Sequence, residues 1–176
     1  MKKEINNKIN FREFILGGQD GLVNVLGLVL GVAGATLNSN IVIISGLVAT
    51  VAESVSMAAV AYTSSKAAKD YYLSIKHKIH MHEFGDPLRS AWIVGISTII
   101  GSLIPLIPFF FFSIKTSMLL ALFISGIALF IVGALKAELS LGSWKRSGLE
   151  MMIIGVVAAL VGYGVGLLLK VYGIVA

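Results

Sequence analysis

Five apolar segments, each about long enough to cross a lipid bilayer, constrain the fold of this chain more than any other feature. They cover approximately residues 14–35, 41–62, 90–112, 116–135 and 149–169. A membrane-spanning helix needs about 20 predominantly apolar residues, and its backbone must satisfy its own hydrogen bonds. Charged residues are only 13% of the chain, against about 25% in soluble domains. The sequence therefore predicts an all-α, polytopic membrane protein with one transmembrane domain over residues 1–176.

The distribution of basic residues predicts the orientation. With five spans, twelve of the fourteen lysines and arginines fall on one side of the membrane, in the N-terminal segment and in the links after the second and fourth spans. Short cytoplasmic loops are enriched in lysine and arginine. We therefore expect a cytoplasmic N-terminus and a C-terminus on the opposite side. Trp92 and Trp144 fall near predicted cytoplasmic ends, where aromatic side chains anchor helices at the interface.

Two acidic residues, Asp20 and Glu53, lie inside the first and second predicted spans. A charge at this depth costs roughly 2.5–3.5 kcal/mol on insertion scales and commonly marks an ion pathway. Neither span contains a lysine or arginine to neutralise it. Asn24 follows Asp20 by four residues, and Met57 follows Glu53 by four, so each pair shares a helix face.

Together these four residues are candidate ligands for a divalent metal. Carboxylate and amide oxygens suit hard cations, whereas a thioether shifts the preference toward softer ions such as Fe(II). A desolvated carboxylate also takes up a proton more readily, so metal and proton could compete for one site. Structural alternatives remain open: Asp20 could bond to nearby backbone, Glu53 could be a protonated group bonded to another helix, and Met57 could serve packing alone.

Small residues recur at intervals of four in the first and fifth spans. Gly27 and Gly31, extended by Gly34, form one row, and Gly162 and Gly166 form another. Such rows let helices approach closely. Ordinary packing within the chain and a specific dimer seam both fit this spacing.

A second candidate metal site lies in the link between the second and third spans. All three histidines of the chain are there, His77, His80 and His82, followed by Glu83. Imidazole and carboxylate groups bind transition metals, although the neighbouring lysines oppose cation binding. The alternative is a solvated basic loop that meets anionic lipid headgroups.

Several functional classes are disfavoured. The chain has no cysteine, which excludes disulfides and thiolate metal sites. The predicted spans hold no histidine and no evident nucleophile–base pair, so we do not expect an enzyme. Topology accounts for the basic residues, so we expect no nucleic-acid partner.

Three segments resemble the vacuolar iron transporter family. The runs 19–24 (QDGLVN) and 28–35 (LVLGVAGA) resemble its first-helix signature. The run 52–59 (AESVSMAA), with 61–66 after it, resembles the second helix, and the run 146–151 (RSGLEM), with 158–163 after it, resembles the fifth. The resemblance extends over nearly all of the spans.

This resemblance implies a homodimeric, proton-coupled exporter of Fe(II), and possibly Mn(II), from the cytoplasm. In such proteins the first two helices line the pathway at the dimer interface. Asp20 matches the family's first-helix aspartate and Met57 its second-helix methionine. The metal is cargo, so no resident cofactor is expected. The expected partners are the divalent metal, protons, the lipid bilayer and a second copy of the chain.

One departure from the family is large. Its members usually carry a long, glutamate-rich helical metal-binding domain between the second and third helices, whereas here residues 70–89 contain a single glutamate. The alternative function is therefore a non-transporting membrane scaffold or regulatory protein derived from that family. Short terminal segments favour a prokaryotic cell membrane, with a vacuolar-type membrane as the alternative.

Overall fold

The computed structural model describes residues 2–74, 86–140 and 142–173, which form five α-helices. In chain order these are α1 (Lys2–Thr36), α2 (Ser39–Ser74), α3 (Pro87–Phe111), α4 (Ile114–Ser140) and α5 (Trp144–Val171). Each contains a segment long and apolar enough to cross a membrane. The predicted all-α, five-span membrane fold is thereby confirmed, and the cytoplasmic assignment of the N-terminus stays a prediction.

The helices extend beyond most of the predicted apolar spans. Polar residues 2–13 belong to α1, and α2 continues through residues 63–74. A helix keeps its own backbone hydrogen bonds in the headgroup region and in water, so polarity alone does not end it. For the same reason α4 continues to Ser140 and α5 begins at Trp144, so both helices extend into the link predicted over residues 136–148.

A two-residue turn joins α1 to α2. Leu37 adopts a left-handed conformation with φ of 50°, and its N–H donates to the Ala33 carbonyl over 3.0 Å, which closes the end of α1. Asn38 then caps α2, since its side-chain oxygen accepts a hydrogen bond from the Asn40 N–H over 2.9 Å. So short a turn makes α1 and α2 antiparallel neighbours.

Helix α3 packs parallel to α1 at very short range. Gly17 faces Val94 and Gly21 faces Ser102, so residue numbers rise together along both helices. A Cβ atom built on Gly101 would lie 2.1 Å from the carbonyl oxygen of Gly18. No side chain fits in that space, so the two backbones are in direct contact.

The glycine rows of α1 and α5 also pack against each other. A Cβ atom on Gly31 would lie 2.7 Å from the Gly162 carbonyl oxygen, and one on Gly166 would lie 2.0 Å from that of Gly31. Of the two interpretations of these rows, packing within the chain is therefore what the structure shows. Because α1 and α5 also run parallel, the start of α1 and the end of α5 lie at opposite ends of the bundle.

The buried core surrounds the C-terminal half of α1. Val25, Leu26 and Val29 are each almost fully buried, and they cluster with Leu106 of α3 and Ala159 of α5. Large apolar side chains elsewhere point outward, among them Leu119, Phe123 and Ile131 on α4 and Val157, Leu160 and Val161 on α5. Outward apolar side chains are expected where lipid is the solvent.

Two prolines lie inside α3 without ending it. Pro105 and Pro108 are both buried, and the helix continues to Phe111. Proline lacks the N–H that would bond to the carbonyl four residues earlier. The two carbonyls that lose this bond are those of Gly101 and Ile104. The Pro108 carbonyl keeps its bond from the Phe112 N–H and also accepts one from the Ser117 hydroxyl of α4, each over 3.0 Å, which ties the C-terminal end of α3 to α4.

The glycine contact between α1 and α5 predicts that two glycine-to-alanine substitutions in α5 have different effects on stability. We expect Gly166→Ala to lower the free energy of unfolding by about 1–3 kcal/mol, because overpacking separates the two helices. Gly164→Ala is the matched control, since nothing lies within 4 Å of its Cβ position. Thermal unfolding of both variants in the same detergent measures the difference, and equal melting temperatures would contradict the packing described.

Candidate cation site

The two intramembrane carboxyl groups lie at matching depth on adjacent antiparallel helices. Asp20 precedes the end of α1 by 16 residues, and Glu53 follows the start of α2 by 14. With a rise of 1.5 Å per residue, these positions are about 24 Å and about 21 Å from the turn that joins the helices. Asn24, one turn beyond Asp20, is about 18 Å from it. Glu53 therefore faces the interval between Asp20 and Asn24.

A hydrogen bond joins the two helices at this depth. The Asn24 side-chain N–H donates to Oε1 of Glu53. The side chain of Asp20 also lies close to the Glu53 carboxyl group. No lysine or arginine occurs between residues 13 and 65, so α1 and α2 offer no basic side chain at this depth to balance the two acids. Two neighbouring carboxyl groups in a medium of low dielectric constant require a proton or a bound cation.

Met57 occupies the next turn of α2. It lies 18 residues after the start of the helix, about 27 Å from the turn and thus about 3 Å beyond Asp20. Its side chain is half-buried. The thioether therefore lies toward the predicted cytoplasmic side of the carboxyl groups.

Helix α3 supplies a hydroxyl group that the sequence did not single out. The Ser102 side chain lies close to the Glu53 carboxyl group and packs against Gly21, the residue after Asp20. Ser97, Thr98 and Ser102 are all fully buried in α3. In the sequence, these residues stand out only as three hydroxyl-bearing side chains grouped within an apolar span. That grouping does not reveal which neighbouring helix they face.

A second polar contact joins the predicted cytoplasmic ends of α1 and α3. The Ser90 hydroxyl donates to Oε1 of Glu13 over 2.5 Å. The other oxygen of Glu13 is buried without a hydrogen-bond partner among the described residues. The structure thus packs the Glu13 carboxyl group against α3, seven residues before Asp20.

The site is open on one side in the single chain that the structure describes. Asn24 is exposed, and Asp20, Glu53 and Met57 are half-buried. In the part of the chain that the structure describes, no three carboxylate or imidazole groups lie close enough together to hold a metal ion. One protomer therefore offers two carboxyl groups, an amide, a nearby thioether and a hydroxyl group. The second candidate site, at His77, His80, His82 and Glu83, lies outside the described residues.

Comparison with known proteins gives consistent matches over most of the chain. The sequence model of the VIT family matches residues 11–83 and 73–167. An uncharacterised protein of Methanocaldococcus jannaschii is 32% identical over 162 residues, which cover 84% of each chain. Vacuolar iron transporter 1 of Eucalyptus grandis is 24% identical over 208 aligned residues, covering 87% of this chain and 84% of that protein.

A further relative matches a smaller share of the chain. Protein CCC1 of Saccharomyces cerevisiae is 35% identical over 79 aligned residues, covering 41% of this chain and 24% of that protein. The family match extends from α1 into α5, so it includes both helices that carry the candidate site. Together with the five apolar helices, it shows that this chain is an integral membrane protein of the VIT family of metal transporters.

Proposed function

We propose that this protein exports divalent metal from the cytoplasm in exchange for protons, with Fe(II) as the first candidate cargo and Mn(II) as the second. The observation that carries the proposal is the convergence of Asp20, Asn24 and Glu53 at one depth between α1 and α2. Relatives named vacuolar iron transporter support the choice of iron.

The same groups supply the means of exchange. When the two carboxyl groups are ionised, their oxygens attract a divalent cation, and the bound cation removes their mutual repulsion. When the cation leaves, protons can neutralise the carboxyl groups and restore a low-energy empty site. Metal and protons thus compete for the same oxygens, and when the site opens alternately to the two sides of the membrane this competition couples their opposite movements.

Removing one carboxyl charge should abolish this exchange. We expect Asp20→Asn to eliminate metal flux in reconstituted vesicles while leaving the fold unchanged, because the amide keeps the shape and loses the charge. The measurement follows Fe(II) or Mn(II) flux together with the pH inside the vesicle. In the wild type, a metal gradient should drive protons in the opposite direction.

Asp86→Asn is the control for this experiment, because Asp86 is an exposed residue before α3, outside the five spans. Wild-type flux in Asp20→Asn would refute the site. Metal flux without proton counter-flow in the wild type would refute the coupling. If the wild type moves neither metal nor protons, the alternative of a non-transporting scaffold is favoured.

The thioether should influence which metal is preferred. Met57→Leu keeps a similar side-chain volume and removes the sulfur, so we expect a severalfold fall in the preference for Fe(II) over Mn(II). The measurement is the ratio of KM values for the two metals. Met118→Leu, which changes a partly buried methionine of α4 outside the site, should leave the ratio unchanged. If the ratio of the two KM values is unchanged in Met57→Leu, the Met57 side chain contributes to helix packing and not to metal preference.

The open side of the site supports a homodimer. Asn24 is exposed at membrane depth. The outer face of α2, meaning the face that points away from the helix bundle, carries small exposed residues, including Ala52, Ser56 and Ala59. A polar opening of this kind is costly against lipid, whereas small residues favour close contact with another helix. A second copy would cover the opening and bring two further carboxyl groups to it.

Light scattering of the purified protein in detergent tests this arrangement. We expect a mass of two chains, and weakening of the association when Ala59→Leu fills the outer face of α2. A wild-type protein that remains monomeric across the accessible concentration range would contradict the homodimer.

A further inference from the structure

Ser102 is a fully buried hydroxyl group of α3. Its oxygen makes no hydrogen bond of regular geometry with the described residues, although it lies close to the Glu53 carboxyl group. Its neighbours on α3 behave differently, because the hydroxyl groups of Ser97 and Thr98 both donate to the Val94 carbonyl, over 2.9 and 2.8 Å. Such bonds to the preceding turn are the usual way in which serine and threonine are accommodated in an apolar helix. Ser102 is buried without that bond.

The position of Ser102 directs it to the candidate cation site. Its side chain lies close to the Glu53 carboxyl group of α2. On α1, a Cβ atom at Gly21 would lie 2.5 Å from the Ser102 oxygen, so the backbone next to Asp20 presses directly against it. Ser102 therefore lies where α1, α2 and α3 meet, close to the Glu53 carboxyl group and against the residue that follows Asp20.

The same turn of α3 carries a second oxygen whose usual donor is absent. Pro105 has no N–H, so the carbonyl of Gly101 cannot receive the bond from the residue four positions later. Gly101 packs on Gly18 of α1. The turn at residues 101–102 thus combines a hydroxyl group without a regular hydrogen bond with a carbonyl that lacks its usual helical donor.

We propose that Ser102 is a ligand from a third helix for the cation bound between Asp20, Asn24 and Glu53. This inference rests on the proposed function and identifies a residue of the same site. With the cation bound, a lone pair of the neutral hydroxyl oxygen faces the metal. When the cation has left, the O–H group turns to donate to a carboxyl oxygen of Glu53. Rotation about the Cβ–Oγ bond of Ser102 therefore gives its hydroxyl group a partner both with the cation bound and after the cation has left.

A spectroscopic experiment detects this ligand without measuring transport. The chain has no cysteine, so Ser102→Cys introduces its only thiol. If residue 102 reaches the bound cation, Cd(II) added to the detergent-purified variant will produce a thiolate-to-metal charge-transfer band in the ultraviolet. The band should disappear when Asp20→Ala is combined with Ser102→Cys.

Ser125 provides a matched control. It lies on α4, is also 0% exposed and also has an unpaired hydroxyl group among the described residues. Ser125→Cys should therefore give no Cd(II) band. A missing band in Ser102→Cys, a band that survives Asp20→Ala, or an equal band in Ser125→Cys would each overturn the assignment.

Transport kinetics provide the second measurement, in case the thiol disturbs the packing at Gly21. Ser102→Ala should raise KM for Mn(II) by about tenfold and raise KM for Fe(II) less, because the lost oxygen suits the harder ion. Ser125→Ala should match the wild type. If both alanine variants transport alike, only the role of Ser102 fails. If the wild type neither binds nor moves metal, the proposed function itself fails.

Discussion

The close approach of α1 to both α3 and α5 is the constraint on which the rest of this structure depends. Lipid provides little hydrophobic drive for helices to associate, so contact must come from backbone packing at small residues. Helix α1 places Gly17, Gly18 and Gly21 against α3, and Gly27 and Gly31 against α5. With these two faces occupied by neighbouring backbones, the face that carries Asn24 is left to meet α2.

That arrangement explains why acidic residues can persist at this depth. Glu53 accepts a hydrogen bond from Asn24 and has Asp20 and Ser102 close by, so each polar group is surrounded by others and not by lipid alone. The same proximity leaves two negative charges without a basic neighbour on α1 or α2. A site of this kind is stable only when something positive enters it, which is the property that a transport site requires.

Because the link between α2 and α3 is short, the membrane helices must supply most of the acidic groups that could capture an ion. Helix α2 ends at Ser74 and α3 begins at Pro87, which leaves no room for a long helical domain between them. Glu13 lies on α1 seven residues before Asp20, and its carboxyl group accepts a hydrogen bond from Ser90 at the start of α3. Acidic groups therefore occur along α1 from its predicted cytoplasmic end to the candidate site.

The sequence alone determined the class of fold, the number of spans and the identity of Asp20, Asn24, Glu53 and Met57 as unusual residues, because length, hydropathy and a charge inside an apolar run are local properties. It also predicted the orientation from the basic residues. Tertiary structure decided which helices meet. Helical spacing shows that Gly162 and Gly166 share a face, but only the packing shows that α1 occupies that face. Likewise, Ser102 and Glu13 look ordinary in the sequence, and their significance comes from the groups that other helices bring to them.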